Sequence, residues 1–307
     1  MKYFLSLLLI GTLTLTSCNF AKNGGTAAES DSIPDSTQVA AASVADTVVP
    51  DLEAVKVFKP RIQKINKEIY YKASTKQKIY TTAHFELQWP AEAEGYDITP
   101  LQSAINEWLF TDGSTNINAI IRRAGLEWFK NCGGDEVKWT EVAKREKSDD
   151  DGDSSGDEIH FWGEPEYSVK LTFDGVDNDR HIAQFTLVFY GYNGGGTGAG
   201  ILAADKELYY LYDEQRVMTV DDIADAKGQR ALLRKLNNNP INIDRYDCLN
   251  GEEIKELPDN FRIEKGVIYF IFPKYLIACG ADGNVMLGVR LSSISDNLTD
   301  LGRTYLK

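Results

Sequence analysis

The sequence predicts a fold in which many strands carry a few helices, and three observations predict it. Phe261 to Ile294 reads strand, turn, strand, turn, strand, with turns at Gly266 and at Gly280–Gly283. Glu166 to Phe173 and His181 to Tyr192 alternate apolar and polar residues at the period of two that a strand imposes. Between Thr99 and Asn131 apolar residues recur in two consecutive runs at helical spacing.

The chain begins with an address. Lys2 precedes an apolar run, Tyr3 to Ile10, too short to span a bilayer. Leu15-Thr16-Ser17-Cys18 resembles the lipobox of bacterial lipoproteins. That resemblance implies removal of residues 1–17 and lipidation of Cys18, and two acyl chains suffice for stable anchoring. Residues 18–54 are rich in Ala, Ser, Thr and Asp, with Pro34 and Pro50 and no sustained period. They are expected to be a disordered tether, because such a stretch buries too little surface to offset its ordering entropy. A flexible chain of about 35 residues spans roughly 30–35 Å. The expected location is the bacterial cell envelope, on the outer membrane or a periplasmic face.

The net charge of −13 points away from nucleic acid and towards a basic partner. Once Cys18 carries lipid, Cys132, Cys248 and Cys279 remain, an odd number that allows one disulfide at most. No CxxC pair or His cluster has metal-ligand spacing, so neither a metal nor a cofactor is expected.

Residues 55–145 open with two strand candidates, Gln63 to Ser74 and Lys78 to Trp89. In the second, Phe85, Leu87 and Trp89 alternate with Glu86 and Gln88, and Pro90 is expected to end it. In the first, Ile65 and Ile69 also fit one face of a helix. Thr99-Pro100 then predicts a helix start, with Thr99 as N-cap. Leu101, Ile105, Trp108 and Leu109 share its apolar face. A second helix is predicted over Asn116 to Asn131.

Residues 146–158 hold the most acidic run. Asp151-Gly-Asp153-Ser-Ser155-Gly156 matches the first half of a calcium loop, but the twelfth position is Trp162 where a closing Glu belongs. No tight calcium site is expected at Asp149, Asp151, Asp153 and Asp157.

Residues 159–307 follow, expected to form one compact unit with 55–145. After the strands ending at Tyr192 comes Asn193-Gly-Gly-Gly-Thr-Gly-Ala-Gly200. Gly194, Gly196 and Ala199 fit a dinucleotide fingerprint, but the flanking strands read as antiparallel rather than as a βαβ unit. A turn needing positive φ is the better reading. Glu207 to Tyr212 reads as a strand and Lys227 to Leu236 as a helix, and the Phe261–Ile294 stretch is expected to complete the sheet.

Two blocks now carry a resemblance. Phe185 to Ile223 has a strand, a glycine-rich turn, an aromatic strand and a closing V-x-D-I, and Phe261 to Leu287 has F-x-I-x-x-G-V-I-Y-F-I-F-P-x-Y-x-I-A-x-G. Together they resemble the RsiV-like C-terminal domain family, over roughly residues 64–301. The resemblance implies an α+β fold, an antiparallel sheet with helices packed on it. Relatives include an anti-sigma factor whose outer domain binds lysozyme and a non-catalytic domain attached to a peptidoglycan deacetylase. The family turn often carries a histidine; here Gly194-Gly-Gly-Thr-Gly198 has none.

The function expected is a non-enzymatic, lipid-anchored envelope protein that binds a protein of lysozyme type or a wall glycan. Trp162, Tyr190, Tyr192, Asn193, Gly194 and Gly196 are the candidate contacts, because aromatics beside loops serve binding well. No catalytic residue is assigned: the sequence has no G-x-S-x-G and no H-E-x-x-H, and His84, His160 and His181 are scattered. The alternative is a wall hydrolase using paired carboxylates.

Overall fold

The computed structural model describes residues 57–75, 79–110, 116–133, 137–144, 163–195, 201–242, 253–278 and 283–306. Cys18, Trp162, Gly196, Cys248, Cys279 and the acidic 146–158 run lie outside them. Ala54 to Lys307 forms one compact unit. The fold is α+β, built on two sheets.

β1 (Pro60–Ala73) and β2 (Tyr80–Ala93) form a long antiparallel hairpin. Ile65 faces Leu87 and Ile69 faces Ala83, so cross-strand pairing settles the helix–strand ambiguity of β1. Pro90 does not end β2. Arg61 pairs with Glu92 and Ile62 with Pro90, so Ala91 is an extra residue that bulges the strand. The pairing of β2 with its other neighbour stops at Leu87, so no strand on that side requires an N–H from Pro90.

α1 (Thr99–Phe110) takes Thr99 into its first turn rather than leaving it as cap. The Thr99 N–H donates to Asp97 Oδ1 at 2.9 Å, a bond that holds the Asp97 carboxyl below its usual range. α2 (Ile117–Lys130) is capped by Asn116, whose side chain accepts from the Ala119 N–H. Both helices cover one face of the first sheet, where Leu101, Ile105, Ile121 and Phe129 pack with Phe85, Leu87 and Phe185.

That sheet is completed by β3 (Trp139–Val142), β4 (Glu166–Asp177), β5 (Ile182–Tyr192), β6 (Ile201–Leu211) and β7 (Arg216–Val217). Its order is β3-β1-β2-β4-β5-β6-β7, antiparallel except for the parallel pair of β2 with β4. A 3-10 turn, Val220–Asp222, leads to α3 (Ala226–Asn238), whose N-cap Asp225 accepts from the N–H groups of Lys227 and Gly228.

The Phe261–Ile294 stretch forms the predicted strands, but in a sheet of its own. β8 (Ile241–Asn242), β9 (Phe261–Glu264), β10 (Val267–Phe272) and β11 (Val285–Arg290) are ordered β8-β11-β10-β9. Every residue of β10 is buried. Ile268, Phe270 and Phe272 share a second core with Leu232 and Leu236 of α3. Ile182, Tyr209 and Leu211 reach that core from the first sheet, while their strand neighbours Ala183, Phe185, Leu208 and Tyr210 face α1 and α2. The end of β5–β6 near Ile182 is therefore covered on both faces. A second 3-10 stretch, Leu291–Asn297, and the short α4 (Asp300–Thr304) close the chain.

Candidate functional site

A cleft of about 390 Å³ opens where the second sheet meets the β4–β5 hairpin. Its lining comes from the hairpin (Asp174, Asp177, Arg180, Gln184), from Tyr209 of β6, from the β9–β10 turn (Lys265, Gly266) and from Tyr305 after α4.

Local chemistry builds each part. Phe173 pairs with Phe185 and Gly175 with Gln184, so Asp174 is the extra residue of a bulge. Gly175 takes φ +130° there, a conformation that glycine alone adopts cheaply. A bulge re-aims one side chain, and here the Asp174 carboxylate accepts from the Thr186 hydroxyl at 2.7 Å. Behind it lies Glu207, whose side chain is 2% exposed, in an ion pair with Arg262 of β9. Burial alone would pull the Arg262 guanidinium down, but its bond to Glu207 prevails and raises it. Asn260 adds a clamp between the sheets: it accepts from the Glu207 N–H at 3.0 Å and donates to the Asp205 carbonyl at 2.8 Å.

The opposite end holds two cations, each beside a carboxylate: Arg180 with Asp177 and Lys265 with Glu264. Arg180 donates through Nε to the Thr304 hydroxyl at 2.8 Å and through Nη2 to the Thr304 carbonyl at 2.9 Å. It pairs with Asp177 and lies 4.4 Å above the Tyr305 ring. Burial raises the Tyr305 hydroxyl to about 12, against the pull of Arg180. Gly266 takes φ +72° beside the Tyr305 carbonyl, which brings the β9–β10 turn and Lys265 to this end. Tyr209 forms the floor. Its hydroxyl accepts from the Ile263 N–H at 3.0 Å, and burial raises its pKa.

Of the residues singled out from sequence, those within the described residues lie elsewhere. Tyr190, Tyr192, Asn193 and Gly194 sit at the far end of β5, about 30 Å from Ile182 at the strand rise. Tyr190 and Tyr192 are half-buried, and the Tyr192 hydroxyl donates to the Gly195 carbonyl at 2.8 Å, closing the turn. Gly194 takes φ +81°, as the glycine-rich turn requires. Beneath them the Trp128 indole occupies the space a Gly191 side chain would need, 2.3 Å from a Cβ placed there. Cys132 is a free, buried thiol that burial raises to about 12.

The sequence reading missed the cleft. Alternation in the sequence stops at Phe173, whereas the strand runs on to Asp177 through a bulge, for which the lone Gly175 is the local signal. The partners of Asp174 and Arg180 come from residues distant in sequence, which no local pattern brings together.

No protein-family model matches the chain, and no curated protein matches it. Among solved structures, a DUF3298 family protein from Bacteroides fragilis matches 82% of this chain and 98% of its own, with a TM-score of 0.57 and 14% identity. The fold is similar to that of the DUF3298 family. A second DUF3298 family protein, from Pseudomonas aeruginosa, matches 79% of this chain and 96% of its own at 10% identity, with a TM-score of 0.45. At such identities the DUF3298 likeness concerns the fold and assigns no residue of the cleft.

Proposed function

We propose that this chain is a non-enzymatic, lipid-anchored cell-envelope protein, held by Cys18, whose folded unit binds wall-derived material. The observation that carries the reading is the cleft. It combines two tyrosines, an amide and groups of both charge signs within about 390 Å³, a size suited to a small ligand. The RsiV-like resemblance and the lipobox at Leu15–Cys18 support an envelope location. The carboxylates beside the cleft favour binding over hydrolysis. Asp177 pairs with Arg180 and Glu207 with Arg262, which leaves Asp174 without a second unpaired carboxylate opposite it among the lining residues, whereas a glycosidase needs a proton-donating carboxylic acid facing a second carboxylate across the substrate.

Incubation with purified wall sacculi tests both halves. The protein should sediment with sacculi and generate no new reducing ends. Absence of co-sedimentation removes the binding reading, and release of reducing ends replaces it with hydrolysis. A Cys18→Ser variant should lose labelling by a fatty-acid probe; labelling equal to the wild type contradicts the anchor.

A second reading, capture of a basic protein of lysozyme type, is favoured by the net charge of −13 and by Val188, which is 44% exposed on the face of β5 that carries Tyr190 and Tyr192. Specific docking there should lose most of its affinity on Tyr192→Ala. Charge attraction alone should ignore that change and fade with salt.

A further inference from the structure

Four side chains of the cleft specify more than a general binding surface. Gln184 lies in its middle, cross-strand from Tyr209 and Gly175, and no hydrogen bond engages its amide among the described residues. Asp174, at one end, spends one carboxylate oxygen on Thr186 and has no cation paired with it among the described residues. Arg180, at the other end, spends one N–H each on the Thr304 hydroxyl, the Thr304 carbonyl and Asp177, which leaves two of a guanidinium's five donors. Lys265 stands on the same rim with its side chain 87% exposed and its ammonium 3.0 Å from Glu264, an exposed pair that a ligand carboxylate can share.

The order along the hairpin is therefore anion, amide, cation. We propose that the cleft binds a short peptide with both ends free. Its ammonium meets Asp174, a peptide group meets the Gln184 amide, and its carboxylate meets Arg180 and Lys265. This rests on the binding reading above and names the ligand class for the same cleft. The dimensions agree. Asp174 and Asp177, whose carboxylate holds the Arg180 guanidinium, are three residues apart on a strand, about 10 Å, and an extended peptide of three residues reaches about 10 Å. The side-chain amide complements a peptide group because each offers one carbonyl acceptor and an N–H donor. An uncharged oligosaccharide would cover Asp174 without pairing its charge, which is the costly arrangement.

Calorimetric titration of the full chain with trialanine tests this without relying on a variant. Uncapped trialanine should bind, and N-acetylation or C-amidation should each weaken it about tenfold, the effect of losing one charge-assisted contact. Both caps together should abolish binding. Tighter binding of either the all-L or the all-D peptide supports the proposal, and the preferred hand separates a protein-derived source from a wall-derived one. Asp174→Asn should remove the penalty of N-acetylation while leaving that of C-amidation. Equal binding of capped and uncapped peptides overturns the proposal, as does no binding of uncapped trialanine at about 1 mM. If a peptide-free N-acetylglucosamine oligomer binds in place of the peptide, this proposal falls while the wall-binding reading stands. If peptide binds but sacculi do not, the wall reading falls and the ligand class stands.

Discussion

The two ends of β5 are held by different physics. At the Ile182 end a second sheet arrives over a shared apolar core, and the ion pair of Glu207 with Arg262 joins the sheets at its rim, with Asp177–Arg180 and Arg216–Asp222 as local pairs beside it. At the Tyr192 end the contacts are aromatic. Trp128 stacks on Tyr167 with ring centroids 5.4 Å apart and meets Phe189 edge-on, with Gly191 leaving room for the indole. The contrast teaches where a cleft can form. A junction between two layers joined by polar groups leaves spaces lined by partly satisfied side chains, whereas close aromatic packing fills its own volume.

The largest expected effect comes from cutting the polar stitch. Glu207→Ala leaves Arg262 half-buried beside a void, and it should cost about 2–4 kcal/mol, below the range for a fully enclosed pair. Urea denaturation measures it. A loss smaller than about 0.5 kcal/mol would mean that the ion pair does not hold the sheets together. Pairing Glu207→Ala with Arg262→Ala should cost less than the sum of the two, because the second change removes the orphaned charge.

A smaller loss is expected at the aromatic end. Gly191→Ala drives a methyl into the Trp128 ring and should cost about 1–3 kcal/mol. Because Trp128 is the group displaced, its near-ultraviolet signal should change with the mutation. An unchanged spectrum together with unchanged stability would show that the indole is loosely seated.

Acid should separate the two ends with the smallest effect. Burial would raise the Asp222 carboxyl, yet its bonds to Arg216 and Thr219 prevail and lower it. A carboxyl lowered on folding contributes stability that is fully present above its unfolded pKa, near 4, and is lost as pH falls through the folded value. Asp222→Asn should therefore cost about 1 kcal/mol at pH 7, and progressively less as the pH falls below about 4. Hydrogen exchange on the wild type should show β7 and the Val220–Asp222 turn losing protection on acidification before β4 and the Tyr192 end of β5. Simultaneous loss at both ends would contradict the division between ionic and aromatic cohesion.

Much of the architecture was legible because its causes are local. Phe85, Leu87 and Trp89 alternate, Asn116 and Asn131 bracket α2, and Gly266 and Pro273 delimit β10, all within a few residues of the effects they produce. One correction comes from a partner remote in the chain: Pro90 continues β2 because β4 no longer pairs there. The other is local, since the Thr99 N–H bonds to the Asp97 carboxylate two residues before it.

The sequence by itself determined the elements, the acidic surface and the dense apolar run of β10, because period, turn chemistry and charge are properties of neighbouring residues. Only the tertiary structure decided that this run starts a second sheet, that β2 and β4 run parallel, and that a bulge at Asp174 faces Arg180 and Lys265 across a cleft. The reason is that burial is shared between layers. Ile182, Tyr209 and Leu211 are apolar on a face whose partner lies 50 to 100 residues away in the chain, at Phe261, Ile268 and Phe270 among others, and no local period says which layer will cover it.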